Sequence, residues 1–381
     1  MPMYGRFVQF ALPRIGQVLS AAVLYLNFLC LPFVACFAGT APLAYFGIPL
    51  LLLILTGWLG RNPLGPGMIA ECYLTGIYLV GDLVWLIAYL AGGAALQGWK
   101  TLWMGGLLAW VLTALIMIWA YFRAVRLHTT TYRLTTKKKL PGGKLRILQI
   151  SDLHPGGGAM DRSRIPELEQ RIRDLHPDLI VLTGDIYDEY VSRENFDSFN
   201  AFFARLEAPG GKWFVFGNHD IFHHWKEPCY TRADLETAFA AAGIRVLEDV
   251  AVLTRLDGVP LRIVGRKDWL FTKRLRFTPA ELLPGGPDEI YTIMLDHEPR
   301  ELRADAEAGA DLILSGHTHG GQIWPTGMAA RLFRYNEVNR GAKHITTGCT
   351  AVVSSGTGTW GYKIRTEGRT ELVVIEIQQT V

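Results

Sequence analysis

Residues 145–154 read Leu-Arg-Ile-Leu-Gln-Ile-Ser-Asp-Leu-His, a short apolar run ending in Asp152-Leu153-His154. The run is too short for a helix, and Gly156-Gly157-Gly158 follows close behind it. It is therefore predicted as a strand whose carboxyl end delivers two metal-ligating side chains to a turning chain. The pattern recurs downstream. Asp178 to Leu182 leads to Thr183-Gly184-Asp185, and Trp213 to Phe216 leads to Gly217-Asn218-His219-Asp220. Tyr291 to Leu295 precedes His297, and Leu312 to Leu314 precedes Gly316-His317-Thr318-His319.

Helical patterns near 164–175, 196–206 and 232–242 alternate with these runs. That alternation predicts an α/β core, whose functional crevice lies beyond the carboxyl ends of the strands. Further strand-like runs at 245–247, 252–256, 261–264, 344–346, 351–354 and 372–377 predict a second sheet packed on the first.

The candidate ligands are carboxylates (Asp152, Asp185), one amide (Asn218) and imidazoles (His154, His297, His317, His319), with no cysteine. Mixed oxygen and nitrogen donors suit two divalent ions, with manganese, iron or zinc all compatible, and such a pair hydrolyses phosphate esters. Asp185 is the best candidate for a bridge, because ions about 3.5–4 Å apart need a shared anionic ligand. Gly184, Gly217 and Gly316 let the backbone turn beside the ligands. No GxxxxGK[ST] loop, HExxH or GxSxG element occurs, which argues against an NTPase, a zinc protease or a serine hydrolase.

The 381-residue chain carries a net charge of +3, but its charge is unevenly spread. Residues 1–122 hold only four basic residues (Arg6, Arg14, Arg61, Lys100) and two acidic ones (Glu71, Asp82). Apolar stretches near 16–38, 42–59, 68–92 and 102–122 are each close to the roughly 20 residues that cross a bilayer core. The expectation is an all-α transmembrane bundle of four helices over 1–122, a basic juxtamembrane linker over 123–143, and a catalytic domain over 144–381. Arg123, Arg126, Arg133, Lys137, Lys138, Lys139 and Lys144 follow the last stretch with no acidic residue among them. Arg6, Arg14 and Arg61 fall on the same side if the number of spans is even, which puts the catalytic domain in the cytoplasm beneath a cell membrane. The linker is also a candidate for contact with anionic lipid. Asp82, near the middle of the third stretch, reads equally as a functional carboxyl or as a protonated one bonded to a neighbouring helix. The five cysteines form no CxxC pair, so neither a zinc ribbon nor a redox motif is expected.

The blocks DxH, GDxxD, GNHD, a separate His and GHxH together resemble the calcineurin-like metallophosphoesterase superfamily over about residues 144 to 377. The Gly320-Gly321-Gln322 tail is similar to a membrane-associated bacterial branch that includes phosphoesterases acting on UDP-diacylglucosamine. The resemblance implies a four-layer α/β/β/α sandwich. It implies that Asp152, His154, Asp185 and His319 bind one ion, and that Asp185, Asn218, His297 and His317 bind the other. It implies that a hydroxide between the ions attacks phosphorus, that His219 protonates the leaving oxygen, and that Asp188 holds the His219 ring.

Asp188 also reads as a loop carboxylate or helix cap, Asp220 as a structural hydrogen-bonding residue, His223 and His224 as exposed loop residues, and Gly156 to Gly158 as either a phosphate cradle or a turn. The expected partners are a phosphoester substrate, with a lipid-linked phosphodiester or pyrophosphate as first choice, and membrane lipids; no nucleic-acid partner is expected. The rival readings are a general nucleotide phosphodiesterase or phosphatase with a passive anchor, and a membrane scaffold or sensor with a phosphate-binding domain.

Overall fold

The computed structural model describes residues 66–91, 107–221, 227–269, 275–333 and 335–380. The expected spans at 16–38 and 42–59, and His223 and His224, lie outside the described residues, as does the side chain of Asp82. The chain divides into two units, Met1–Trp119 and Ala120–Val381.

In the first unit, helix α1 spans Pro66–Leu90, and helix α2, Leu107–Val125, begins there and ends in the second. Leu108–Val125 is long and apolar enough to cross a membrane, with a mean hydropathy of 1.8. It is the one such helix among the described residues, so a bundle of four is not seen.

The second unit is built on two six-stranded sheets. The strands in chain order are β1 (Leu127–Thr136), β2 (Lys144–Ile150), β3 (Leu179–Thr183), β4 (Lys212–Val215), β5 (Ile244–Val246), β6 (Val250–Leu256), β7 (Val259–Gly265), β8 (Tyr291–Leu295), β9 (Leu312–Ser315), β10 (Gly341–His344), β11 (Thr350–Val353) and β12 (Thr370–Gln379). One sheet has the order β1-β12-β2-β3-β4-β5, the other β10-β11-β9-β8-β7-β6. β2, β3, β4 and β5 run parallel, as do β7, β8, β9 and β11, so their carboxyl ends share one rim within each sheet.

Strand periodicity sorts the side chains into layers. Leu145 and Ile147 of β2, Leu179 and Val181 of β3, Ile293 and Leu295 of β8, and Leu312 and Leu314 of β9 meet in one buried cluster between the sheets. Leu148 and Ile150 point the other way. They join Ile180 and Leu182 beneath helices α3 (Ile165–Leu175), α4 (Arg193–Arg205) and α5 (Arg232–Ala241), which contribute Leu168, Phe199 and Phe239. On the far side Met294 and Ile313 pack with Leu302 and Ala306 of helix α6 (Leu302–Ala308). Helix, sheet, sheet and helix are thus stacked in that order.

The stretch expected to link membrane and enzyme, 123–143, is not a linker for most of its length. Residues 127–136 form β1, paired in parallel with β12 from Leu127↔Thr370 to Thr136↔Gln379. The reason is a period-two pattern hidden under the basic charge. Burial alternates from His128 to Thr136, Tyr132 and Leu134 pack on the inter-sheet core, and the threonines around them are β-branched. The run expected at 344–346 is likewise shifted to β10, which closes on β11 as an antiparallel pair.

Candidate active site

Of the seven candidate ligands, Asp152, Asp185, His297 and His317 each lie two residues beyond the end of a strand, Asn218 three and His154 four, and His319 follows His317 in the same turn. The backbone at these points is unusual. Asp152, His154, Asp185, His317 and His319 all have φ between 43° and 67°, the left-handed region that non-glycine residues seldom occupy. Such conformations cost energy and persist where the surroundings over-determine them. Here the restraints are visible. Asp152 N donates to Gly184 O at 3.0 Å, Asp185 N to Asp220 Oδ2 at 2.7 Å, and His317 N to Asp152 Oδ1 at 2.9 Å. Asp220 also accepts from Gly217 N at 2.9 Å and Tyr187 N at 2.9 Å, which makes it the hydrogen-bonding residue that ties the β3 and β4 turns together. Gly184 is needed for space as well as for its φ of 85°, since a Cβ there would collide with His297 Nδ1.

The structure gathers the ligands into two groups. Asp152, His154 and His319 form one and Asp185, His297 and His317 the other, each with its candidate donor atoms within 4.8 Å of one another. Asp185 Oδ2 stands between them, 3.8 Å from His154 Nε2 and 3.2 Å from His297 Nε2. Asn218 Oδ1 lies 3.0 Å from His317 Nδ1, which brings the amide to the second group. The donor set fits divalent ions. His297 Nδ1 faces the Thr183 carbonyl oxygen at 2.8 Å, and His154 Nδ1 faces Asp188 Oδ2 at 3.0 Å. Each contact fixes the tautomer and turns the Nε2 lone pair inward, where both Nε2 atoms are buried with no hydrogen-bond partner.

The electrostatics follow from burial and crowding. Burial pushes the Asp185 carboxyl up, but the imidazoles of His297, His219 and His154 outweigh it and hold it well below the usual carboxylate range. Burial pulls His317 down to about 4, which keeps its ring in the neutral form that ligation needs. Burial also pulls His219 down, but Asp185 and a hydrogen bond to Glu189 win and push it up to about 9. His219 Nδ1 is 3.4 Å from Glu189 Oε2, and its backbone N donates to Asp185 Oδ1 at 2.8 Å.

One placement differs from the sequence reading. Asp188, expected to hold His219, spends Oδ2 on His154 and Oδ1 on Tyr190 N at 2.9 Å. The carboxylate seen at His219 Nδ1 is the neighbouring Glu189, fully buried. One residue of offset along the turn after β3 decides which acid reaches which ring, and no spacing rule conveys it. Sequence reasoning also passed over Glu298, buried directly after His297 and 4.0 Å from His317 Nε2. It passed over Arg365 too, whose Nη1 and Nη2 donate to His319 O at 2.7 Å and Gly358 O at 2.8 Å. Glu298 could have been found from its position beside a ligand; Arg365 lies in no motif.

Residues 145–321 match the calcineurin-like phosphoesterase family. An uncharacterized metallophosphoesterase of Bacillus subtilis, YkoQ, is 30% identical over 254 residues, spanning 65% of this chain and 89% of that protein. One from Aquifex aeolicus is 29% identical over 275 residues, spanning 70% of this chain and 98% of its own length. A relative in Danio rerio, described as a transmembrane protein with metallophosphoesterase domain, is 27% identical over 289 residues; the match spans 71% of this chain and 62% of that protein. The chain belongs to the calcineurin-like metallophosphoesterases, and it is a metal-dependent phosphoester hydrolase.

Proposed function

We propose that this protein is a membrane-associated phosphoesterase with a dinuclear metal centre, cleaving a phosphodiester or pyrophosphate bond in a lipid-linked substrate of the UDP-diacylglucosamine kind. The observation that carries the dinuclear reading is the position of Asp185 Oδ2 between the inward-facing Nε2 atoms of His154 and His297. Asp152, His154, Asp185 and His319 would hold one ion, and Asp185, Asn218, His297 and His317 the other. Divalent ions bound there supply Lewis-acid polarisation of a phosphoryl oxygen and an acidified water.

The chain's own residues do the rest. Asp185, a member of the second group and 3.8 Å from His154 Nε2 of the first, would be common to both sets of ligands. Thr183 O and Asp188 lock two ligand rings before substrate arrives, so that little reorganisation is left for the reaction. His219, beside Asp185 and Glu189, is the group that would give a proton to the leaving oxygen.

Membrane association is supported by the apolar helix Leu108–Val125 and by the name of the Danio rerio relative. Several spans with a cytoplasmic catalytic domain, in a bacterial inner membrane, accord with the basic flanks Arg6, Arg14, Arg61 and Arg123 to Lys144. Tethering then raises the effective concentration of an interfacial substrate. The test is turnover of bis-p-nitrophenyl phosphate by the full-length protein with added manganese. Turnover is expected to require the metal and to vanish in Asp185→Asn, whereas a phosphate sensor without catalysis would show none in either protein. Preference for water-soluble cyclic nucleotides over lipid-linked pyrophosphates would remove the substrate assignment alone.

A further inference from the structure

The Gly320-Gly321-Gln322 segment that follows the last metal-ligand block does more than end a turn. Gln322 sits at φ 45°, and its backbone N donates to the carbonyl oxygen of His319 at 3.1 Å. Its side chain reaches across 38 residues of sequence to grip a second loop by its main chain. Gln322 Nε2 donates to Trp360 O at 2.9 Å, and Trp360 N donates to Gln322 Oε1 at 3.0 Å. The approach to Trp360 is pinned as well. Thr357 N donates to Ser151 O at 2.7 Å, Gly358 N to Asp152 O at 2.9 Å, and Thr359 Oγ1 accepts from Ala159 N at 2.8 Å.

This loop is buried from residue 354 through 359 and emerges half-buried at Trp360. There the indole meets His219, with ring centroids 5.5 Å apart and planes inclined by 41°. The Trp360 Nε1 atom is buried and has no hydrogen-bond partner among the described residues. A large flat side chain, held through its backbone on two sides and set next to the residue on the leaving-group side, is not explained by packing alone. Core tryptophans ordinarily spend their N–H on an acceptor.

We propose that Trp360 is the stacking platform for a planar aromatic group carried by the phosphoester, such as a nucleobase, and that Gln322 is the positioning residue that holds the platform against His219. The inference deepens the reading of the same site given above, and rests on it for the leaving-group side. Stacking is tolerant of which base it receives, because every base has a π face.

The test measures binding rather than turnover. Uridine 5′-monophosphate and methyl phosphate are titrated calorimetrically into the manganese-loaded full-length protein in detergent. The wild type is expected to bind the nucleotide about tenfold more tightly than methyl phosphate, and Trp360→Ala to bring the two within about twofold. Trp360→Phe, which keeps a flat ring, is expected to retain most of the preference and shows that the loop still folds. Gln322→Ala is expected to fall between wild type and Trp360→Ala. Equal binding of the two ligands by the wild type, or an undiminished preference in Trp360→Ala, overturns the platform. A full preference in Gln322→Ala overturns the positioning role. Absence of bis-p-nitrophenyl phosphate turnover alongside a normal nucleotide preference would strike the hydrolase mechanism and leave this inference standing.

Discussion

Asp185 meets four of the groups that define the site: the imidazoles of His154 and His297, the main chain of His219 and, through its own N–H, the carboxylate of Asp220. Its neighbours are held just as tightly, and that makes single residues informative. Asp188 is the acceptor that orients His154, so Asp188→Asn should weaken metal binding roughly 10–100-fold, the usual cost of losing a carboxylate behind a ligating histidine. Metal titration by calorimetry reads this directly, and unchanged affinity would show that His154 is oriented by something else. Gly217→Ala should be worse, because a Cβ there collides with Asp185 Oδ1 and with Asp185 N. The expected result is a folded protein with intact far-ultraviolet circular dichroism and no bound metal by elemental analysis. The residue types at these positions were legible in sequence, since each block ends a strand-like run. The partner of each ring was not, since Asp188 and Glu189 are adjacent and only the turn decides between them.

At the scale of elements, β1 is the informative case. A basic segment after an apolar stretch reads as a topology signal, yet residues 127–136 pair along their whole length with β12. A protein shortened to begin at Lys144 would leave β12 as a bare edge and is expected to aggregate, as exposed edges do. One beginning at Arg126 should stay monodisperse, and size-exclusion chromatography separates the two outcomes. Helix α4 offers a plainer test. Phe199 is fully buried beneath the first sheet, so Phe199→Ala should cost about 3–5 kcal/mol in urea unfolding with little effect on the identity of the bound metal.

Across the catalytic unit, one buried arginine connects parts far apart in the chain. Arg365 donates to His319 O and Gly358 O through its side chain, while its backbone N donates to Ala120 O in the last turns of α2 at 3.1 Å. Thr370 Oγ1 adds a bond to Ala124 O at 2.7 Å, and Arg123 bonds Gly368 O. Residues 120–124 are thereby tied to the segment 365–370 and, through the Arg365 side chain, to the turn that carries the candidate ligand His319. Arg365→Ala strands the buried Gly358 carbonyl and leaves His319 O with Gln322 N as a remaining donor, and should cost about 1–3 kcal/mol in thermal or denaturant unfolding. Metal binding and stability are linked in the same way. An ion held at 100 times its dissociation constant adds about 2.7 kcal/mol, so a chelator should lower the melting temperature by about 5–10 °C. A melting curve indifferent to chelator would mean that the centre does not load.

The sequence by itself determined the α/β class, the strand ends near which the candidate ligands gather, and the class of chemistry, metal-dependent phosphoester hydrolysis. These follow from short-range rules, the period of apolar residues and the donor set of each block. The tertiary structure alone decided that 127–136 is a strand, that Asp188 serves His154, that Gln322 grips the Trp360 loop, and that Arg365 braces His319. Each of these depends on a contact between segments distant in the chain, or on a turn whose direction no local pattern records.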